Sequence, residues 1–263
     1  MTKLLISAGC SFTQFPGRHK TWPYHLSQAM GIEVLYLGQS AGSNGIISKK
    51  TIFHTLEALK NHDPKDILVG IMWSGSHRNE FYFHEDNTES HKFGYVDNDC
   101  NPVRIVSDSS YYLINDHWDD RLSTNFYKHY YDDVGSVIST IEHILNVQWF
   151  LKSHGVSYFM TKYFMDVFNS HLKIRYSNPK AIDDHIDIID HPDVKYLYDL
   201  IDFDNWIDAE DCQSWVMKYS GLPFPIEGDP HPGTAQHKIY TEQVIIPFLK
   251  RKNLWQQNEI NKP

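Results

Sequence analysis

The chain has 263 residues, enough for one large α/β domain or two small ones. With 41% hydrophobic and 14% aromatic residues it can fill a core, which excludes an intrinsically disordered chain. A formal net charge of -9 with no cluster of Lys and Arg excludes a general polyanion binder, so nucleic acid is not an expected partner.

In chain order, an apolar strand at Leu4–Ser7 leads to a turn at Gly9–Thr13, a helix near Trp22–Met30 and a strand at Glu33–Leu37. Gly31 is placed to close that helix as its C′ residue. A second helix runs from about Asn44 to Asn61, with Ile46, Ile47, Ile52, Phe53, Leu56 and Leu59 at near-helical spacing and Asp63-Pro64 ending it. The run Ile67-Leu68-Val69-Gly70-Ile71-Met72-Trp73 reads as a parallel strand buried on both faces. A helix at about Val134–His154 and a strand at Val156–Met160 follow, and a last helix spans about Thr234–Arg251 with Ile239, Val244, Ile245 and Leu249 toward the sheet. Strand and helix alternate at both ends, which predicts an α/β fold: a doubly wound parallel sheet flanked by helices, as one domain over residues 1–263. Two polar-aromatic stretches, about 79–133 and 166–220, break the rhythm and read as insertions over the carboxyl ends of the strands, where open α/β sheets bind ligands.

Cys10, Cys100 and Cys212 form no CxxC pair, so neither a disulfide framework nor a zinc knuckle is expected, and the chain reads as a reduced product of the cytoplasm or of a virion particle. The apolar run before Cys10 is shorter than the roughly 7–15 residues of a signal-peptide core, and no segment reaches the ~18–20 apolar residues of a membrane span. Neither a signal peptide nor a membrane partner is therefore expected. Nothing in the sequence indicates an oligomeric state.

Three loops carry candidate chemistry. Ser11 stands in Gly9-Cys10-Ser11-Phe12-Thr13, just past the first strand, where a serine points out of the carboxyl edge of the sheet. Taken alone, such a triplet is more often a turn or a helix cap. Gly38-Gln39-Ser40-Ala41-Gly42-Ser43-Asn44 joins a strand to a helix start, so its N–H groups and the helix dipole suit an oxyanion, or else it is a tight connection with Asn44 as N-cap. Glu227-Gly228-Asp229-Pro230-His231-Pro232-Gly233 precedes the last helix, and a His held by a nearby carboxylate has the tautomer and basicity to deprotonate a serine. The plain alternative there is a Pro-rich loop with Pro232 entering the helix.

In order and placement these loops resemble blocks I, II and V of the SGNH (GDSL-like) hydrolases, and Gly9-Cys10-Ser11-Phe12-Thr13 is similar to the Gly-x-Ser-Phe-Thr variant of some phage and bacterial members. The resemblance covers the two ends of the chain. It implies a three-layer flavodoxin-like sandwich with Ser11 as nucleophile, His231 as base and Asp229 as its orienting carboxylate. The Ser11 and Gly42 N–H groups would be oxyanion donors. Cys10 would point into the packing beneath the sheet. No metal and no organic cofactor is implied.

Two positions depart from the family pattern. Asp229 and His231 are two apart instead of three, which leaves Glu227, an insertion carboxylate or a Ser–His dyad open. After the third strand, Trp73-Ser74-Gly75-Ser76-His77-Arg78 replaces Gly-x-Asn-Asp, so Ser74, Ser76 or Asn44 would have to supply the side-chain donor, and Arg78 would bind an anionic or sugar group. The aromatic clusters of the first insertion suit a sugar-binding cleft or simple packing. The resulting expectation is a serine esterase removing acetyl or short acyl groups from a small-molecule or polysaccharide ester. The rival is a catalytically reduced glycan-binding or structural module on the same fold. A third reading, a metal centre in Asp183–Asp193 with its five Asp and two His, matches no ligand spacing, and a solvated acidic loop is the simpler account.

Overall fold

The computed structural model describes residues 2–82, 111–114, 121–164, 167–168, 188–226, 229 and 231–254. Four strands, β1 (Leu4–Gly9), β2 (Glu33–Tyr36), β3 (Ile67–Trp73) and β6 (Ser157–Lys162), form a parallel sheet in the order β2-β1-β3-β6. Between β3 and β6 lie β4 (Asn79–Tyr82) and β5 (Tyr111–Ile114), a separate antiparallel pair. The helices α1 (Trp22–Met30), α2 (Asn44–Leu59), α3 (Arg121–His129) and α4 (Asp133–Ser153) occupy the first two-thirds of the chain. In the last third come α5 (Pro192–Tyr198), α6 (Cys212–Tyr219), α7 (Thr234–Tyr240), a π-helical turn (Thr241–Ile245) and α8 (Ile246–Arg251).

Successive strand residues point to opposite faces, so a sheet covered on both sides needs apolar residues at every position. Ile6, Ala8, Val69, Ile71, Trp73, Tyr158 and Met160 face α2 and α4 and pack with Ile47, Val137, Ile141 and Ile144. Leu5, Leu68, Met72 and Phe159 face the other layer and pack with Trp22, Leu26, Tyr240, Ile245 and Phe248. This is the expected doubly wound α/β arrangement. The chain runs from β1 out to β2 and then returns across β1 to β3, so the carboxyl ends of β1 and β3 flank a topological switch point.

Most predicted elements appear within a few residues of their expected bounds, and Gly31 closes α1 in the left-handed region at φ 67°. Four details differ. Strand β1 continues to Gly9 because its pairing with β3 runs on through Gly9 and Met72. The N-cap of α2 is Ser43, whose hydroxyl accepts from the Ile46 N–H, and Asn44 is already helical. Phe53 and Leu56 lie on the exposed side of α2, while Thr51 and Thr55 are buried. The last helix begins after an N-cap at Gly233, so Pro232 stays outside it.

Within the second expected insertion, residues 188–220 carry α5, α6 and two short 3-10 turns and contribute to both cores. Ile188, Val194, Ile201 and Trp206 join the α2–α4 side, and Cys212 and Val216 join the other. Trp206 also bridges Met160 in parallel fashion at the edge of β6. Among the described residues no helix is long and apolar enough to cross a membrane.

Candidate active site

The site is built where β1 ends. A hydrogen bond from the Thr13 N–H to the Cys10 carbonyl (2.9 Å) closes a turn across Ser11 and Phe12, leaving Ser11 half-buried at its corner. Cys10 is fully buried among Leu5, Phe159 and Tyr240, so its thiol is directed into the core and away from this corner. Phe12 is buried and sits edge-on to Tyr163, with ring centroids 5.1 Å apart, and at the same distance from the His231 ring. It forms one wall against which the imidazole rests.

Ser11 Oγ lies 2.8 Å from His231 Nε2 across 220 residues of sequence. On the other side of the ring, Nδ1 lies 2.5 Å from Asp229 Oδ1, which also accepts the His231 backbone N–H at 3.0 Å. One carboxylate oxygen thus holds both the backbone and the ring of the residue two positions on, an Asx-turn geometry that makes the two-residue spacing workable. A carboxylate beside Nδ1 places the proton there and leaves Nε2 as an acceptor for the serine hydroxyl. Burial opposes ionisation of Asp229, yet the hydrogen bonds from the His231 ring and backbone, together with the charges of His231 and Arg18, hold its carboxyl below the usual range. Arg18, which no sequence signal singled out, donates to Asp229 Oδ2 at 3.0 Å. Side-chain exposures of 41% for His231 and 24% for Asp229 leave the pair open on one side. Glu227 lies outside the described residues.

The expected oxyanion donors are distributed differently. The Ser11 N–H has no hydrogen-bond partner among the described residues. The Gly42 N–H donates to the Gln39 carbonyl at 3.0 Å, closing a turn in which Ala41 takes φ 57°, so here it is engaged within its own loop. Asn44 is not an open donor: its Nδ2 bonds the Ser74 carbonyl (2.9 Å) and Thr140 Oγ1 (3.1 Å), and its Oδ1 accepts the Ser74 N–H (2.8 Å). The amide therefore clamps the end of β3 to α2 and α4. Replacing Asn44 by Ala removes these bonds and leaves the buried Ser74 N–H unpaired, so a loss of about 3 kcal/mol in urea unfolding is expected. A loss below about 1 kcal/mol would contradict that structural role.

Ser74 Oγ accepts from Arg78 at 2.9 Å, and the Arg78 guanidinium stacks on Tyr163, 4.9 Å from the ring centroid. Arg78 is thus linked to His231 through Tyr163 and Phe12. Gln39, which the sequence did not mark, has its Oε1 bonded by Lys50 at 2.6 Å while its buried Nε2 has no partner among the described residues. The insertion aromatics largely pack on one another: Phe126 meets Phe81 and Tyr127, and the Tyr127 hydroxyl donates to the His77 carbonyl. Of the acidic stretch, Asp183–Asp187 lies outside the described residues, and His191 caps α5 by accepting the Asp193 N–H. Among the described residues no group of three or more His, Cys, Asp or Glu is placed to hold a metal.

Residues 12–263 match a family described as a family of unknown function, DUF6071. The chain belongs to the DUF6071 family. No curated protein matches this DUF6071 member in sequence. Two of the solved structures that resemble it share 12% identity with it. One is a candidate lipolytic protein of the G-D-S-L family from Desulfitobacterium hafniense, with a TM-score of 0.46 over 95% of this chain and 99% of that one. The other is the Bacillus subtilis protein YXIM, with a TM-score of 0.45 over 97% of this chain and 58% of that one.

Beneath the site of this DUF6071 chain, the buried His237 packs edge-on to Phe12. Burial, then the charges of His25, His19 and His231, push its imidazole down to about 3. Unfolded, it would titrate near pH 6.5, so between these values the unfolded state binds the extra proton and stability falls with falling pH, by about 1.4 kcal/mol per unit. Replacing His237 by Leu is expected to remove about that slope from the pH dependence of urea unfolding between pH 6 and 4, and an unchanged slope would refute it.

Proposed function

We propose that this protein is a serine ester hydrolase in which His231 deprotonates Ser11, Ser11 Oγ attacks an ester carbonyl, and Asp229 keeps the imidazole in the required tautomer. The observation that carries this reading is the continuous chain Ser11 Oγ–His231 Nε2, His231 Nδ1–Asp229 Oδ1, at 2.8 and 2.5 Å. As the ester carbon becomes tetrahedral, the serine proton passes to Nε2. The Ser11 N–H is the open backbone donor for the oxyanion, and the Gly42 N–H would join it if the Gln39–Gly42 turn opened. Protonated His231 then donates to the departing alkoxide. Water attacks the acyl-serine by the reverse route and releases the acid.

The substrate we favour is an acetyl or short acyl ester on a carbohydrate. Arg78 beside Tyr163 suits a polar, ring-shaped ligand. The engaged Gly42 N–H and the clamped Asn44 favour a second reading, a reduced module that binds such an ester without turning it over.

The test is reaction of the whole chain with a fluorophosphonate probe, followed by peptide mapping, alongside hydrolysis of p-nitrophenyl acetate. Stoichiometric labelling at residue 11 with ester turnover supports the enzyme. A folded chain that neither labels nor turns over the ester removes it in favour of the binding module.

A further inference from the structure

The first turn of α2 is where three separate parts of the chain meet, and one of the residues meeting there lies in the expected insertion. Glu80, the second residue of β4, directs its carboxylate at this turn. Oε2 accepts from the Ser43 hydroxyl, and Oε1 accepts from Lys49 Nζ at 2.8 Å. A Cβ at residue 45 would collide with the Glu80 carboxylate, which therefore occupies the notch that the missing side chain of Gly45 leaves. The Ser43 hydroxyl in turn accepts the Ile46 N–H, which makes Glu80 the group that fixes the direction of the N-cap proton. A carboxylate is also the favourable charge at this end of a 16-residue helix. The adjoining residues are Gly42, at the end of the candidate oxyanion loop, and Asn44, which holds the end of β3.

We propose that Glu80 is a positioning residue: by holding Ser43 and Lys49 and filling the Gly45 notch, it keeps the Gly38–Asn44 loop in register with Ser11 and couples the β4–β5 insertion to that loop. The role in reactivity rests on the serine hydrolase reading, whereas the control of loop order does not. Glu80 touches no reacting atom and acts through the backbone of residues 38–46.

Hydrogen exchange of the whole chain and the fluorophosphonate labelling rate of Ser11 test this together. Glu80→Ala is expected to speed exchange in residues 38–46 by about fivefold, the size of a lost N-cap, while β3 and α4 exchange as in wild type. Labelling and kcat should fall about tenfold or more with KM for p-nitrophenyl acetate little changed, as for a displaced catalytic loop. Glu80→Gln keeps an acceptor for Ser43 and should recover most of both. Gly45→Ala should mimic Glu80→Ala, yet in the Glu80→Ala background it should raise the melting temperature, because the obstructing carboxylate is gone and Ala favours helix. Unchanged exchange in 38–46, or faster exchange with wild-type labelling, overturns the proposal. If the wild-type chain is not labelled at all, the hydrolase reading fails on its own, and exchange together with the sign reversal at Gly45 still decides whether Glu80 orders the loop.

Discussion

Replacing Ser11 by Ala is expected to abolish fluorophosphonate labelling and to lower kcat for p-nitrophenyl acetate on the order of 10⁴–10⁶-fold, the range seen when a nucleophile is removed from a coupled triad. The hydroxyl is the group that faces His231 Nε2, at 2.8 Å, and neighbouring Cys10 is fully buried and cannot take its place. The cost to folding should be small, because Ser11 sits at a turn closed by the Thr13 N–H and the Cys10 carbonyl, neither of which needs its side chain. A melting temperature within a few degrees of wild type would show that the loss is chemical. Turnover at the wild-type rate in a folded Ser11→Ala chain would move the chemistry elsewhere.

Asp229→Asn carries the next largest effect, a fall of about 10³–10⁴-fold in kcat at neutral pH. An amide in this place can present an N–H to His231 Nδ1, which favours the tautomer with its proton on Nε2, and that nitrogen then has no lone pair for the serine proton. The interaction lost is a 2.5 Å charge-assisted bond to the ring as well as the contact to the His231 backbone. Asp229 is held ionised below the usual carboxylate range, chiefly by its bonds to His231 acting against burial. Its contribution to stability is therefore present at neutral pH and is lost only as pH falls through that lowered value, so wild type and Asp229→Asn should converge in stability below about pH 4. Arg18, half-exposed and on the far oxygen, should matter little by comparison. A loss of less than tenfold in Asp229→Asn would mean that a Ser11–His231 dyad suffices, one of the alternatives the spacing of the sequence leaves open.

The layered fold was legible because its signals are local. Ile67–Trp73 reads as a buried strand since a parallel strand covered on both faces tolerates no polar side, and Gly31 marks a helix end since a left-handed residue is needed there. Residues 188–220 were not legible as core, because their apolar residues are interspersed with Asp, Tyr and Lys and join cores built largely by distant elements, among them α4, β6 and the last helices. Ser43 and Asn44 are both good N-cap types, and the choice between them rests on Ser74 and Thr140, 30 and 96 residues away from Asn44.

By itself, then, the sequence determined the alternation of strands and helices and the presence of Ser11, Asp229 and His231 in loops at strand and helix ends, since hydrophobic periodicity and turn chemistry are properties of neighbours along the chain. Only the tertiary structure decided that Ser11 and His231 meet, that Asp229 holds its partner from two positions away, that the Gly42 N–H closes its own turn, and that Glu80 fills the notch at Gly45. The first and the last of these are contacts between residues far apart in sequence, set by how two layers of helices settle on one sheet, and no local pattern encodes them; the other two are local turns whose hydrogen bonds residue type alone leaves open.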